Sequence, residues 1–136
     1  MNYFLAKTEP TTYSIDDLER DQRTAWDGVK NAQAVRAIRE MQPGDRVFIY
    51  HSGGVSSIVG LATVRSQPRD DAKNPKSAVV DLEFLARLEP PVTLAEIKSS
   101  KKFDEWALVR QGRLSTMAAP EMFVSWMRER YPKAKL

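Results

Sequence analysis

Cysteine is missing from this chain altogether, and histidine occurs once, as His51. The first absence excludes a disulfide scaffold, a thiolate nucleophile and a zinc–thiolate centre. The second leaves a metal site with carboxylates as its only other ligands, and neither HExxH nor an aspartate-rich loop occurs. Long apolar runs are lacking too, since none approaches the ~18 residues that a membrane-spanning helix needs. The opening MNYFLAKTEP has no basic stretch followed by an apolar one, so no secretory leader is expected and a cytoplasmic location is. Gly53-Gly54 fits neither GxGxxG nor a P-loop, which sets aside nucleoside triphosphates and dinucleotides. No cofactor is expected, and no repeat or linker divides the 136 residues.

What remains is an ordinary composition, 42% hydrophobic and 29% charged, which suits one folded domain over residues 1–136. A net charge of +3 permits contact with a polyanion but is weak evidence for one.

The organising stretch is Gly44–Val64, with apolar runs Val47–Tyr50 and Ile58–Val64 around a loop of glycine and serine. Such a pattern predicts a β-hairpin, and its first arm ends in Tyr50, His51 and Ser52. Ahead of it, Tyr3–Ala6 forms a strand that emerges at Lys7, Thr8 and Glu9, where Pro10 stops pairing. Ser14 caps a short helix ending near Arg20, and Asp21–Thr24 is expected to be exposed. Gly28 permits a turn after Trp26, and Asn31 can cap a helix whose apolar face is Ala34, Ala37, Ile38 and Met41. After the hairpin, Ser66–Ser77 is polar and suits a surface loop, and Ala78–Leu85 is a strand broken by Glu89-Pro90-Pro91. Thr93 and Glu96 make a capping box. Phe103–Arg110 has helical spacing, Leu114–Met117 suits a last short strand, and Pro120 opens a helix with Met122, Phe123, Trp126 and Met127 as its stripe. Five or six strands and four or five short helices imply an α+β protein. A small, mostly antiparallel β-barrel flanked by helices fits best.

Two chemistries compete at the hairpin. For nucleophilic catalysis, Ser52 adjoins His51 in an extended run, so their side chains point to opposite faces, and no nucleophile elbow is present. The enzyme alternative is a hydrolase or nucleotide-processing activity that uses His51 with Glu9 or Asp27. Binding has more in its favour: Trp26 beside Asp27, Lys30 and Asn31 offers a stacking surface and polar groups for a base edge, with Tyr50 and Phe4 to complete the walls. Trp26 as a plain core residue, and a free metabolite or nucleotide as the ligand, remain the alternatives. Arg36, Arg39, Lys101 and Lys102, with Arg65, Arg69 and Lys98, are candidates for phosphate contact.

These residues together resemble the EVE domain family. Asn2-Tyr3-Phe4-Leu5, Lys7-Thr8-Glu9-Pro10 and Tyr13-Ser14 are similar to its opening, and Trp26-Asp27-Gly28-Val29-Lys30-Asn31 to its W-x-G-V-R-N segment. Met41-x-x-Gly44-Asp45, Tyr50-His51-Ser52 and Ile58-Val59-Gly60 resemble its central hairpin, and Val80-Asp81 and Arg113-Leu114-Ser115 its later signatures. The resemblance implies a PUA-like fold, shared with YTH, ASCH and SRA-type readers. It implies no enzyme but a monomeric binder of nucleic acid carrying a modified base, foremost a modified cytosine in DNA, with RNA as the second choice. The base would be flipped into an aromatic-walled pocket. Carried over by motif, that pocket would use Phe4, Lys7, Thr8, Glu9, Trp26, Val29, Lys30, Asn31, Tyr50, His51 and Ser52. The chain departs from the pattern at Phe4 (often Trp), Thr8 (often Ser), Lys30 (often Arg) and Ser77 (commonly Trp). Thr116–Ala119 also replaces the usual valine and proline after R-L-S. Those departures bear on the ligand rather than the fold.

Overall fold

Alternation and capping account for most of the elements in the computed structural model, which describes residues 1–134 and 136. Seven strands and five helices are formed among them: β1 (Tyr3–Thr8), α1 (Ile15–Asp21), β2 (Arg23–Trp26), α2 (Ala32–Arg39), β3 (Arg46–His51) and β4 (Ser57–Val64) come first. β5 (Arg69–Asp71), β6 (Asn74–Thr93), α3 (Leu94–Ser100), α4 (Ala107–Arg110), β7 (Thr116–Ala118) and α5 (Glu121–Arg130) follow. No helix among the described residues is long and apolar enough to cross a membrane.

The strands run in the order β2-β6-β4-β3-β1-β7, with β5 paired to β6. All pairings are antiparallel except β1 with β3. The end strands β2 and β7 do not pair with each other, so the expected mostly antiparallel barrel is present in an open form. The parallel pair matters most for function. It places Lys7 beside Tyr50 and Thr8 beside His51, so two distant segments emerge at one edge of the sheet.

Two readings of the sequence need correction and one needs extension. Asp21–Arg23 is exposed as expected and Thr24 partly so, but Arg23–Trp26 also pairs with β6 as an edge strand. An edge strand with an exposed side reads as polar. Ser66–Ser77 contains β5 and the start of β6, a short hairpin whose exposure hides its alternation. Glu89-Pro90-Pro91 does not end the strand. β6 continues to Thr93, with residues 88–91 set between the Gly60–Arg87 and Ile58–Val92 pairs, where β4 contributes Val59 alone. Prolines are tolerated at such an irregularity because no ladder bond is lost there.

Helix ends follow the sequence closely. Ser14 and Asp17 form a reciprocal capping box on α1, Asn31 caps α2, and Thr93 with Glu96 caps α3. One apolar core holds the sheet to its helices, and Phe48, Phe103, Trp106, Phe123 and Trp126 pack edge-on or tilted within it. Met122, expected in the α5 stripe, is 58% exposed instead, because α5 turns Phe123, Val124 and Met127 inward.

Candidate functional site

At the edge where β1 and β3 end, the chain leaves Thr8 through a turn closed by the Glu9 carbonyl. That oxygen accepts from the Thr12 and Tyr13 amides, each at 2.9 Å. The Thr8 hydroxyl donates to the Tyr13 carbonyl at 2.8 Å and fixes the turn against the strand. Tyr13 is thereby held edge-on to Trp26, with ring centroids 6.2 Å apart at 85°. Its phenol donates to Asp21 at 2.9 Å. Between these groups lies a cleft of about 270 Å³ lined by Thr8, Thr12, Tyr13, Thr24, Ala25, Trp26 and Asp27. That is a little below the ~300–1,000 Å³ of typical small-ligand sites, a size that suits a single ring system.

The lining combines two aromatic rings with threonine hydroxyls and one carboxylate. Trp26 is 9% exposed and counts in the core as well as the cleft, so both sequence readings of it describe part of its surface. Burial pushes the Tyr13 phenol up, so the ring remains a neutral donor at ordinary pH. Of the residues that sequence reasoning gathered, the cleft brings together Thr8 and Trp26. It adds Thr12, Tyr13, Thr24 and Ala25, and with them Asp27, which the sequence had placed beside Trp26 but left outside the pocket. Tyr13 was detectable in principle, as an aromatic three residues past the proline that ends the first strand.

The other expected residues lie around this cleft in separate places. His51 is partly buried behind α1, where its Nε2 accepts the Ile15 N–H at 3.0 Å. The ring is therefore neutral, with its proton on Nδ1. Burial also holds its pKa below the ordinary 6.5, opposed by Asp16 and reinforced by Arg87. Lys7 and Tyr50 occupy the sheet face opposite Thr8 and His51, as strand alternation requires. The Lys7 ammonium lies 5.3 Å from the Tyr50 ring centroid and donates to the Gly112 carbonyl at 2.9 Å. Burial lowers the Lys7 pKa and raises that of Tyr50. Ser52 is tied to β1 through its amide, which donates to the Thr8 carbonyl at 3.0 Å.

Past Trp26, Gly28 takes a φ of 76° and turns the chain so that Val29 is buried and Lys30 is exposed. The Val29 carbonyl accepts the hydroxyl of buried Ser77. Asn31 spends its Oδ1 on the Gln33 and Ala34 amides, at 2.8 and 3.1 Å, leaving only its NH₂ free to meet a ligand. Glu9 is exposed in the turn that follows Thr8 and does not line the cleft. Phe4 needs correction as a wall. It sits four residues, about 13 Å, up β1 from Thr8. It is 2% exposed between β3 and β7 and offers no face for stacking. Tyr50 is equally buried, and its ring lies under Lys7 rather than in the cleft.

Among the proposed phosphate contacts, Arg39, Arg65 and Arg69 are engaged by Asp70, Glu83 and Asp81, at 3.0, 3.0 and 2.9 Å. Arg36, Lys98, Lys101 and Lys102 are exposed. Arg113, which the sequence reading used only as a signature, is exposed next to the carbonyl that holds Lys7.

A protein-family model of the EVE domain matches residues 2–129. Thymocyte nuclear protein 1 of Rattus norvegicus is 32% identical over 126 residues, covering 72% of this chain and 56% of that protein. The Homo sapiens counterpart is 31% identical over the same shares. The chain thus spans little more than half the length of the relatives it matches. Among solved structures, a hypothetical protein from Leishmania major superposes with a TM-score of 0.86 at 31% identity, covering 98% of both chains. Human THYN1, in a crystal structure of its complex with 5-methylcytosine containing DNA, gives 0.86 at 25% identity over 96% of this chain and 97% of its own.

Proposed function

Since the chain belongs to the EVE domain family, we propose that it recognises a modified base in nucleic acid, in the first instance a modified cytosine in DNA, without catalysing a reaction. The cleft between Trp26 and Tyr13 carries this reading. It pairs ring surface with polar groups in a volume suited to one base rather than a whole nucleotide. A base that enters must leave its stack, and the aromatic walls replace part of the stacking it loses. Asp27 supplies a carboxylate of the kind that accepts from the exocyclic amine of cytosine. The threonine side chains supply hydroxyls and methyls at the ring edge. The relative crystallised with 5-methylcytosine containing DNA supports the choice of base.

His51 argues for binding over hydrolysis. Its Nε2 is occupied by the Ile15 amide, so that nitrogen is not available as a base toward a substrate. The ring instead fixes the start of α1, and with it the Tyr13 side of the cleft.

Affinity for matched duplexes with and without 5-methylcytosine tests the proposal. Preference for the modified duplex is expected, and Trp26→Ala should weaken it by more than about tenfold, the scale of one lost base stack. Equal affinity for modified and unmodified strands across a panel of modifications would overturn it. Turnover abolished by His51→Ala with binding intact would favour the hydrolase reading.

A further inference from the structure

Val55 is 74% exposed, one of three large apolar side chains left open to solvent among the described residues, with Met1 and Met122. It sits at the tip of the β3–β4 hairpin, between Gly53-Gly54 and Ser56-Ser57. The loop that carries it is fastened on both sides. On one side the Ser52 amide donates to the Thr8 carbonyl at 3.0 Å; on the other the Ser56 carbonyl accepts the Leu94 amide at 2.9 Å. The Ser57 hydroxyl donates to the Val55 carbonyl at 3.4 Å. Gly53 and Gly54, with φ of 84° and 59°, take left-handed conformations that make the reversal possible. The result is a single branched apolar side chain held out on a braced, otherwise polar loop. One of its anchors is the backbone of Thr8, a residue of the cleft wall.

We propose that Val55 is a wedge that enters a DNA duplex beside the base being recognised and fills the gap left in the stack. This inference rests on the base-recognition reading above and adds to it the duplex as the preferred form of the ligand. The reasoning is one of complementary needs. A base drawn into the Trp26–Tyr13 cleft leaves an apolar vacancy between its former neighbours, and small apolar wedges at such steps are a general means of holding an opened duplex. Val55 is apolar, compact and exposed on a loop anchored to the backbone of Thr8. The Gly53 and Gly54 amides, which have no hydrogen-bond partner among the described residues, are open to phosphate oxygens, the usual positioning contacts.

The experiment compares Val55→Ser and Val55→Leu with the unaltered protein on a 5-methylcytosine duplex and on the same strand single-stranded. Val55→Ser should bind the duplex about tenfold more weakly, the equivalent of one valine side chain returned to water. Its single-strand affinity should be unchanged, and Val55→Leu should keep duplex binding. A Val55→Ser protein that binds the duplex as well as the original, or loses both forms equally, overturns the wedge. So does an unaltered protein that prefers the modified base only in single strands, which leaves base recognition standing. Loss of all preference for the modified base in the unaltered protein overturns both.

Discussion

The chain's one imidazole serves as a hydrogen-bond acceptor, and its protonation has a defined consequence for stability. Burial disfavours the charged ring, so the folded-state pKa lies below the ordinary 6.5. Between that lowered value and 6.5 the unfolded chain binds a proton that the folded chain refuses. Stability from this group is therefore complete above about 6.5 and is lost as pH falls through that range. Denaturant titrations at pH 7.5, 6 and 5 should show the decline, and His51→Gln should flatten it while keeping an acceptor for Ile15. His51→Leu should cost about 1–2 kcal/mol at neutral pH, because the Ile15 N–H is left without a partner; an unchanged midpoint would refute the assigned role. A lone histidine beside a serine invites a catalytic reading from sequence. What no sequence pattern reveals is that the ring faces a helix start 36 residues earlier. Phe4 misled for a related reason: strand alternation shows which residues share a face, not how far along that face the cleft lies.

Helix α1 is the element that turns core packing into site geometry. Ile15 opens it, donates to His51, and packs against Gly60 of β4. A methyl group added at Gly60 would run into the Ile15 Cδ1 atom and sit 3.1 Å from the Ala86 carbonyl oxygen. Gly60→Ala should therefore destabilise the fold by about 2 kcal/mol, within the usual cost of overpacking. It should also weaken ligand binding through displacement of α1 and the Tyr13 turn. Ile15→Val removes the colliding methyl, so the double variant should recover part of the loss in thermal melts, a coupling that a double-mutant cycle measures. Additive losses would show that α1 does not bear on Gly60. The capped helices and the central hairpin were legible in the sequence because caps and glycine turns are local signals. β2, β5 and the far half of β6 were not, since edge exposure and prolines mask strands whose pairing is set by distant partners.

Across the whole molecule, charge pairing is concentrated in the arginines. Arg39, Arg65, Arg69 and Arg87 all face carboxylates, Arg87 bridging Asp16 and Glu19 on α1. Lys30, Arg36, Lys98, Lys101, Lys102 and Arg113 are exposed and outside those pairs, while the net charge is only +3. If those unpaired cations alone meet the phosphates, binding to duplex DNA should show a log–log salt slope no steeper than about −5, the release of a handful of counterions. A slope near −10 would mean that the paired arginines reorganise onto the backbone of the nucleic acid. Fold class was readable at this scale from the mixture of alternating and capped segments. The openness of the barrel was not, because no local pattern says whether β2 and β7 meet.

The position of β1 sets a schedule as well as a shape. It lies between β3 and β7, so this strand gains its first neighbour only after Arg46–His51 and its second only after Thr116–Ala118. A parallel partner reached across an intervening helix–strand–helix segment and an edge partner more than 100 residues away are both slow to close. On the ribosome, Phe4–Lys7 must therefore wait for Ser115–Ala118 before both of their edges are paired, whereas Thr8 needs only β3. Nascent chains halted before Ser115 should leave the Lys7 amide open to hydrogen exchange, and chains released after β7 should protect it.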